Sequence, residues 1–150
     1  MSVNDKMGDT ACTCAALRRA ARRVTRLYDQ ALAPAGLRIT QYPVLAWLAA
    51  SGPSTMNALA AALGLDRATL GHNLRPLEAR GLVTLTAGKD KRSRMVTLTA
   101  AGRQKLAEAR PEWDRAQRLF EAAFGAEDSA ALRATLGRVA RLDFPAGADV

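Results

Sequence analysis

Residues 87–94, AGKDKRSR, gather side chains whose chemistry suits phosphate binding. Four cations flank one acid, Asp90: Lys89, Lys91, Arg92 and Arg94. On a projecting turn, a guanidinium can enter the narrow minor groove of DNA, where the electrostatic potential is most negative. Asp90 can hold one arginine extended through a charge-assisted hydrogen bond. The pattern favours a DNA-contacting loop, with an ordinary solvated turn as the alternative.

The segment that precedes this loop offers a second set of candidate contacts. Leu70, Leu74 and Leu77 recur at helical spacing and define a buried side. The other sides mix small residues, which let a helix enter a major groove about 12 Å wide, with hydrogen-bonding side chains. The candidates on this segment are Arg67, Thr69, His72, Asn73 and Arg75, to which we add Thr55 of the segment before. Arg75 is suited to a bidentate bond with guanine; a plain solvated face is the alternative.

Two cysteines, Cys12 and Cys14, are the other reactive residues. We expect Cys14 at the amino end of a helix, with Arg18 one turn further on, and both features stabilise thiolate, the nucleophilic form. Three interpretations stay open: packing residues near an interface, a redox switch through sulfenic acid, or part of a metal site. Two thiolates are too few for a closed zinc site, so a metal would need further ligands from a partner subunit, and we assign no metal and no cofactor to the chain itself.

Start and stop signals predict the elements that carry these residues. Ser54 or Thr55 can cap a helix that ends at Gly64, and Asp66 can cap the next helix, which ends at Gly81. Two β-rich runs then enclose the basic loop, Leu82–Thr86 and Met95–Thr99. Helix, tight turn, helix and a hairpin with a charged tip is the plan of a winged helix-turn-helix.

Further helices are predicted on both sides of this unit. A first helix spans about Ala15–Ala33 and carries an arginine stripe, which is either a solvated face or one wall of a cleft for an anionic effector. Thr40 can cap a second helix, and Thr99 a long fifth helix that is followed by a sixth. The fold class is therefore mainly α with a small β-hairpin wing.

Composition limits the function classes. The chain has 150 residues, a formal net charge of +8 and a pI near 10.5, which favours a polyanionic partner. It contains no apolar run of membrane-spanning length and no apolar leader, so we expect a cytoplasmic protein without a membrane partner. The residue patterns include no phosphate loop, nucleophile elbow or paired acids, so we expect no enzyme.

Three stretches in order resemble the MarR family of bacterial transcription regulators. LGLDRATLGHNLRPLEARGLV is similar to the family's recognition-helix segment, DKRSRMVTLTAAGR to its wing, and YDQALAPAGLRITQYPVLAWL to its first-to-second helix passage. The resemblance covers nearly the whole of residues 12–142 and implies a homodimer whose first, fifth and sixth helices interlock. It also implies that Arg92 is the wing arginine that enters the minor groove, with Asp90 as its anchor and Arg94 as runner-up.

The first helix resembles the organic-hydroperoxide-sensing (OhrR-like) branch of that family. In that branch a cysteine precedes a tyrosine by the interval that separates Cys14 from Tyr28. A second tyrosine of the branch falls on Gln41 here, with Tyr42 one residue away, and Arg18 stands where the branch has another tyrosine. The resemblance implies sensing roles for Cys14, Tyr28 and Tyr42, and the thiol chemistry described above adds Cys12 and Arg18 to the candidate sensing set.

We therefore predict one MarR-like domain over residues 1–150, with a winged-helix part at 37–99 and dimerisation helices at 12–36 and 100–142. The predicted function is a sequence-specific regulator, more specifically a repressor, on double-stranded DNA with a pseudo-palindromic operator. A phenolic ligand or a peroxide would release it. The alternatives are a non-specific architectural DNA-binding protein and a small cysteine-dependent enzyme.

Overall fold

A computed structural model describes residues 12–90 and 93–144, which form a mainly helical chain with one small sheet. The helices, in chain order, are α1 (Thr13–Leu32), α2 (Tyr42–Ser51), α3 (Met56–Leu63), α4 (Arg67–Ala79), α5 (Ala100–Phe124) and α6 (Ala126–Ala140). The strands are β1 (Ser54–Thr55), β2 (Val83–Ala87) and β3 (Arg94–Leu98). A short 3-10 turn, Ala33–Ala35, follows α1. This architecture confirms the predicted fold class.

The two helices of the helix-turn-helix begin and end at capping residues that the sequence predicts. The Thr55 hydroxyl accepts the Ala58 backbone N–H at 3.1 Å and so caps α3. Gly64 ends α3 in the left-handed conformation, with φ of 64°, which a side chain would disfavour. Asp66 then caps α4. Leucines of both helices, among them Leu59 and Leu70, are fully buried in the core.

The wing is the antiparallel pair β2–β3, whose register places Leu85 opposite Val96. Both strands lie one residue from their predicted bounds. The Leu82 N–H donates to the Leu77 carbonyl at 2.9 Å and completes the carboxyl-terminal cap of α4, so β2 begins only at Val83. Thr99 is outside β3 because its hydroxyl caps α5.

The sheet has a third strand that the sequence did not predict. Ser54 pairs with Val96 and Thr55 with Met95, which gives the order β1-β3-β2. This pairing ties the start of α3 to the wing. The wing is therefore held to the helix-turn-helix by backbone hydrogen bonds as well as by packing.

Two predicted helix starts differ from the structure. Thr40 does not cap α2: the Gln41 and Tyr42 N–H groups both donate to the Arg38 carbonyl, so a turn leads directly into the helix. The N-cap residue is Gln41, and its side chain accepts the Arg38 N–H at 3.1 Å. α1 begins two residues earlier than predicted, with Cys12 as its N-cap.

None of the helices within residues 12–90 and 93–144 combines the length and the apolar character needed to cross a membrane.

Candidate nucleic-acid interface

The amino end of α4 is fixed by a dense cap. The Asp66 carboxylate accepts the Thr69 backbone N–H at 2.7 Å and the Thr69 hydroxyl at 2.8 Å. The backbone hydrogen bond from Thr69 is the main cause that lowers the pKa of Asp66, so the cap stays ionised at neutral pH. Because the Thr69 hydroxyl already donates its hydrogen to Asp66, the Thr69 oxygen can only accept a hydrogen bond from DNA as long as this cap is formed.

The outward side of α4 carries the predicted base-reading side chains. His72 and Arg75 are exposed, and Asn73 is half-buried. Arg67 is exposed at the first turn, where its guanidinium donates to the Asn57 side chain at 3.4 Å. The Thr55 oxygen is occupied by the α3 cap. The contacts of these residues with DNA stay predictions.

A cleft of about 330 Å³ separates α4 from the wing. We call it the helix–wing notch. Its lining residues come from α3, α4, β2 and β3, and they are Met56, Arg67, Gly71, Leu74, Arg75, Glu78, Leu85 and Arg94. Three guanidiniums thus border one narrow cleft beside the face that the sequence predicts to meet DNA, while Glu78 is the acid that borders it.

The wing tip is described in part. Asp90 and Ser93 close the turn, since the Asp90 carbonyl accepts the Ser93 N–H at 3.0 Å, and Lys89 is exposed beside them. Lys91 and Arg92, including the predicted minor-groove arginine, lie outside the described residues. The predicted anchoring of Arg92 by Asp90 therefore stays a prediction. Arg94, the runner-up, is exposed at the start of β3 and lines the notch.

Substituting Arg75 by alanine tests whether α4 reads sequence. Arg75 is the notch residue that helical spacing places nearest the outward face, where a side chain can reach base edges. We expect Arg75→Ala to weaken binding to a selected operator by about 1–3 kcal/mol and to relax preference at one position. Fluorescence anisotropy with operator and random duplexes measures both. Equal losses on the two duplexes would mean that Arg75 contacts only phosphate.

Two parts of this interface were not predicted from the sequence. The predicted contacts on α4 include Arg67 and Arg75 but not Gly71, although the i, i+4, i+8 spacing of these three residues was visible, and Glu78 of the same flank was not predicted either. The other part is Asn57, which holds Arg67. That contact crosses from α3 to α4, so only the turn geometry reveals it.

The predicted sensing residues do not meet within one chain. Cys14 and Tyr28 lie on the same straight element, about 21 Å apart along its axis at roughly 1.5 Å per residue. Both cysteines are exposed, and the Cys12 sulfur accepts the Ala15 N–H at 3.5 Å. Arg18 is exposed one turn after Cys14. A Cys14–Tyr28 contact would therefore require a second chain.

The two tyrosines have structural partners instead. The Tyr28 hydroxyl donates to the Gln117 side chain at 2.5 Å, and burial raises the pKa of this phenol. Tyr42 is 5% exposed and stacks on Trp113, with ring centroids 5.6 Å apart. Each tyrosine thus ties the long helix α5 to another helix, α1 or α2. Residues 12–90 and 93–144 contain no group of three or more metal-binding side chains.

Comparison with known proteins agrees with this geometry. A family model described as the MarR family matches residues 35–93. The uncharacterised HTH-type transcriptional regulator YwoH of Bacillus subtilis is 30% identical over 92 residues, which are 61% of this chain and 67% of YwoH.

Solved structures extend the likeness to most of the chain. The transcriptional regulator MosR of M. tuberculosis, solved in complex with DNA, is 38% identical, with a TM-score of 0.73 and coverage of 87% of this chain and 99% of MosR. The repressor CouR of Rhodococcus jostii RHA1, solved on a 23-mer DNA duplex, is 32% identical, with a TM-score of 0.76 and coverage of 87% and 93%. These relatives are regulators and not enzymes. The chain belongs to the MarR family and is a DNA-binding transcriptional regulator.

Proposed function

We propose that this regulator is a homodimeric repressor of a pseudo-palindromic operator. The observation that carries the proposal is the joint placement of α4, the helix–wing notch and the wing on one side of the winged-helix unit. In this arrangement α4 enters the major groove and the wing tip reaches the adjacent minor groove. MosR and CouR, both solved on DNA, support this mode of binding.

The dimer is inferred from apolar surface that one chain leaves uncovered. Seven large apolar residues that are at least 37% exposed lie on α1, α5, α6 and the segment that follows: Leu17, Leu119, Phe124, Leu136, Val139, Leu142 and Phe144. A groove of about 500 Å³ opens between the same three helices, lined mainly by apolar residues such as Leu17, Phe120 and Leu132. Apolar patches of this kind mark protein interfaces, and we propose that a second copy fills this one.

A two-fold dimer makes a geometric prediction for its operator. Its two α4 helices should lie about 34 Å apart and meet half-sites one helical turn of DNA from each other. Light scattering at micromolar concentration, together with duplexes that carry one or two half-sites, tests the proposal. A monomeric mass combined with tight binding to a single half-site would rule it out.

We propose that the signal acts near the amino end of α1, by one of two chemistries. In the first, peroxide oxidises a thiolate to sulfenic acid, which then forms a disulfide with the partner chain or a small thiol. The exposure of Cys12 and Cys14 leaves both sulfurs accessible within the chain. Cys12 is the N-cap of α1, and Arg18 is exposed one turn after Cys14.

In the second, a small anionic aromatic ligand binds beside α1. Arg18, Arg22 and Arg26 line a surface groove of about 460 Å³ together with Ala21 and Thr25, which suits a carboxylate. CouR, which has also been solved with p-coumaroyl-CoA, supports a ligand of phenolic character. In either case the ligand or the oxidised sulfur changes the relation of the two subunits and hence the half-site spacing.

Peroxide titration of DNA binding separates the two chemistries. We expect mild peroxide to release wild-type protein from DNA and a thiol reductant to restore binding, while Cys14→Ser stays bound. Cys12→Ser is the matched variant, because serine is itself a good N-cap and preserves the start of α1. Equal retention of DNA by wild type and both variants after peroxide would reject oxidation and leave the ligand groove as the sensing site.

A further inference from the structure

The structure of the single chain gives no reason for a glycine at position 71. Gly71 lies within α4, where glycine is less favourable than alanine because it adds backbone freedom to the unfolded state. Its backbone is not among the positive-φ glycines, and a Cβ built on it would meet no atom within 4 Å. Neither backbone conformation nor internal packing therefore requires a glycine at this position.

The position of Gly71 points to an external reason. It lines the helix–wing notch, between Arg67 one turn before and Arg75 one turn after, and Arg94 of the wing borders the same cleft. The base of the cleft at this point is half-buried backbone without a side chain. An external group can thus approach the α4 backbone more closely here than at any position that carries a Cβ.

DNA geometry identifies that group. If α4 lies in the major groove and the wing in the neighbouring minor groove, the sugar–phosphate strand between the two grooves must pass through the cleft that separates helix from wing. We infer that the helix–wing notch seats one backbone phosphate of this strand, held by Arg67 and Arg94 and brought into contact with the helix at Gly71. Glu78 lies about three turns of α4 beyond Arg67, so the phosphate lies toward the amino end of the notch.

This inference rests on the proposed docking of helix and wing, and it makes Gly71 a determinant of DNA affinity. Gly71→Ala should have effects of opposite sign on stability and binding. We expect the melting temperature to rise by about 2–4 °C, because alanine is the better helix former and meets no clash in the free protein. We expect the dissociation constant for a random-sequence duplex to rise at least about tenfold, since the methyl group occupies the space of the phosphate.

The experiment compares wild type, Gly71→Ala, Arg94→Ala and the double variant by thermal melting and by fluorescence anisotropy on a random duplex over a range of salt concentrations. The slope of log affinity against log salt should fall by about 1 per subunit in Gly71→Ala, and the Arg94→Ala loss should shrink in the Gly71→Ala background. Unchanged or tighter binding by the stabilised Gly71→Ala protein would overturn the inference, as would a loss confined to a selected operator. Absence of duplex binding by wild type would instead contradict the proposed function.

Discussion

Replacing Gly102 by alanine should destabilise the fold by about 1–3 kcal/mol or more, because it overpacks a buried junction. A Cβ at this position would lie 2.1 Å from the Leu82 carbonyl oxygen and 2.5 Å from the Leu98 side chain. The carbonyl is fixed in place, since it accepts the Thr99 N–H at 3.1 Å. The first turn of α5 would therefore have to move away from the junction of α4 and β2.

Thermal melting measures the effect, which corresponds to a fall of about 2–4 °C for each kcal/mol in a chain of this size. Gly71→Ala is the matched control, because it makes the same chemical change in a helix where the added methyl meets nothing. The two variants should shift the melting temperature in opposite directions. A Gly102→Ala protein as stable as wild type would show that the close approach of α5 to Leu82 is not required.

Substituting Leu136 by glutamate should abolish the dimer and, with it, tight operator binding. Leu136 is 40% exposed in the single chain, so a carboxylate there remains solvated and the subunit still folds. In the proposed dimer each carboxylate would be buried unpaired, which costs about 3 kcal/mol per site. Because the dimer is two-fold symmetric, it would contain two such carboxylates, and together they would weaken association by roughly four orders of magnitude.

Light scattering and operator anisotropy at one protein concentration measure both consequences. Ala134→Glu is the control, since Ala134 is exposed on the face of α6 opposite Leu136 and is not among the residues that line the groove. It adds the same charge and should leave mass and binding unchanged. A dimeric Leu136→Glu protein with wild-type operator affinity would mean that the α6 side of the groove lies outside the interface.

Local signals predicted most of the winged helix. The capping residues Asp66 and Thr99 were predicted directly from the sequence, and Thr55 was one of two candidates with Ser54, because an N-cap depends on the few residues that follow it. The prediction that Thr40 caps α2 was wrong. Thr40 has a capping side chain, but the preceding turn brings the chain into helical conformation at Gln41, so Gln41 is the N-cap residue. A capping residue in the sequence therefore predicts a helix start only where the residues around it leave it in an extended conformation.

Features that depend on tertiary contacts could not be predicted in this way. The strand Ser54–Thr55 has two residues and exists only because β3 runs beside it. The notch likewise joins Arg67 to Arg94 across the gap between helix and wing. Spacing could, however, have shown that Cys14 and Tyr28 are too far apart on one helix to touch, so that any shared sensing site needs two chains.

Competition between a selected duplex and a random one tests the central claim most directly. Duplexes enriched by the protein from a random library define the operator, and the ratio of affinities for operator and scrambled DNA is then measured by anisotropy at physiological salt. A sequence-specific regulator should bind the operator at least about a thousandfold more tightly and should select a two-fold symmetric site. A ratio near one, with no symmetric site enriched, would identify a non-specific architectural protein and contradict the account.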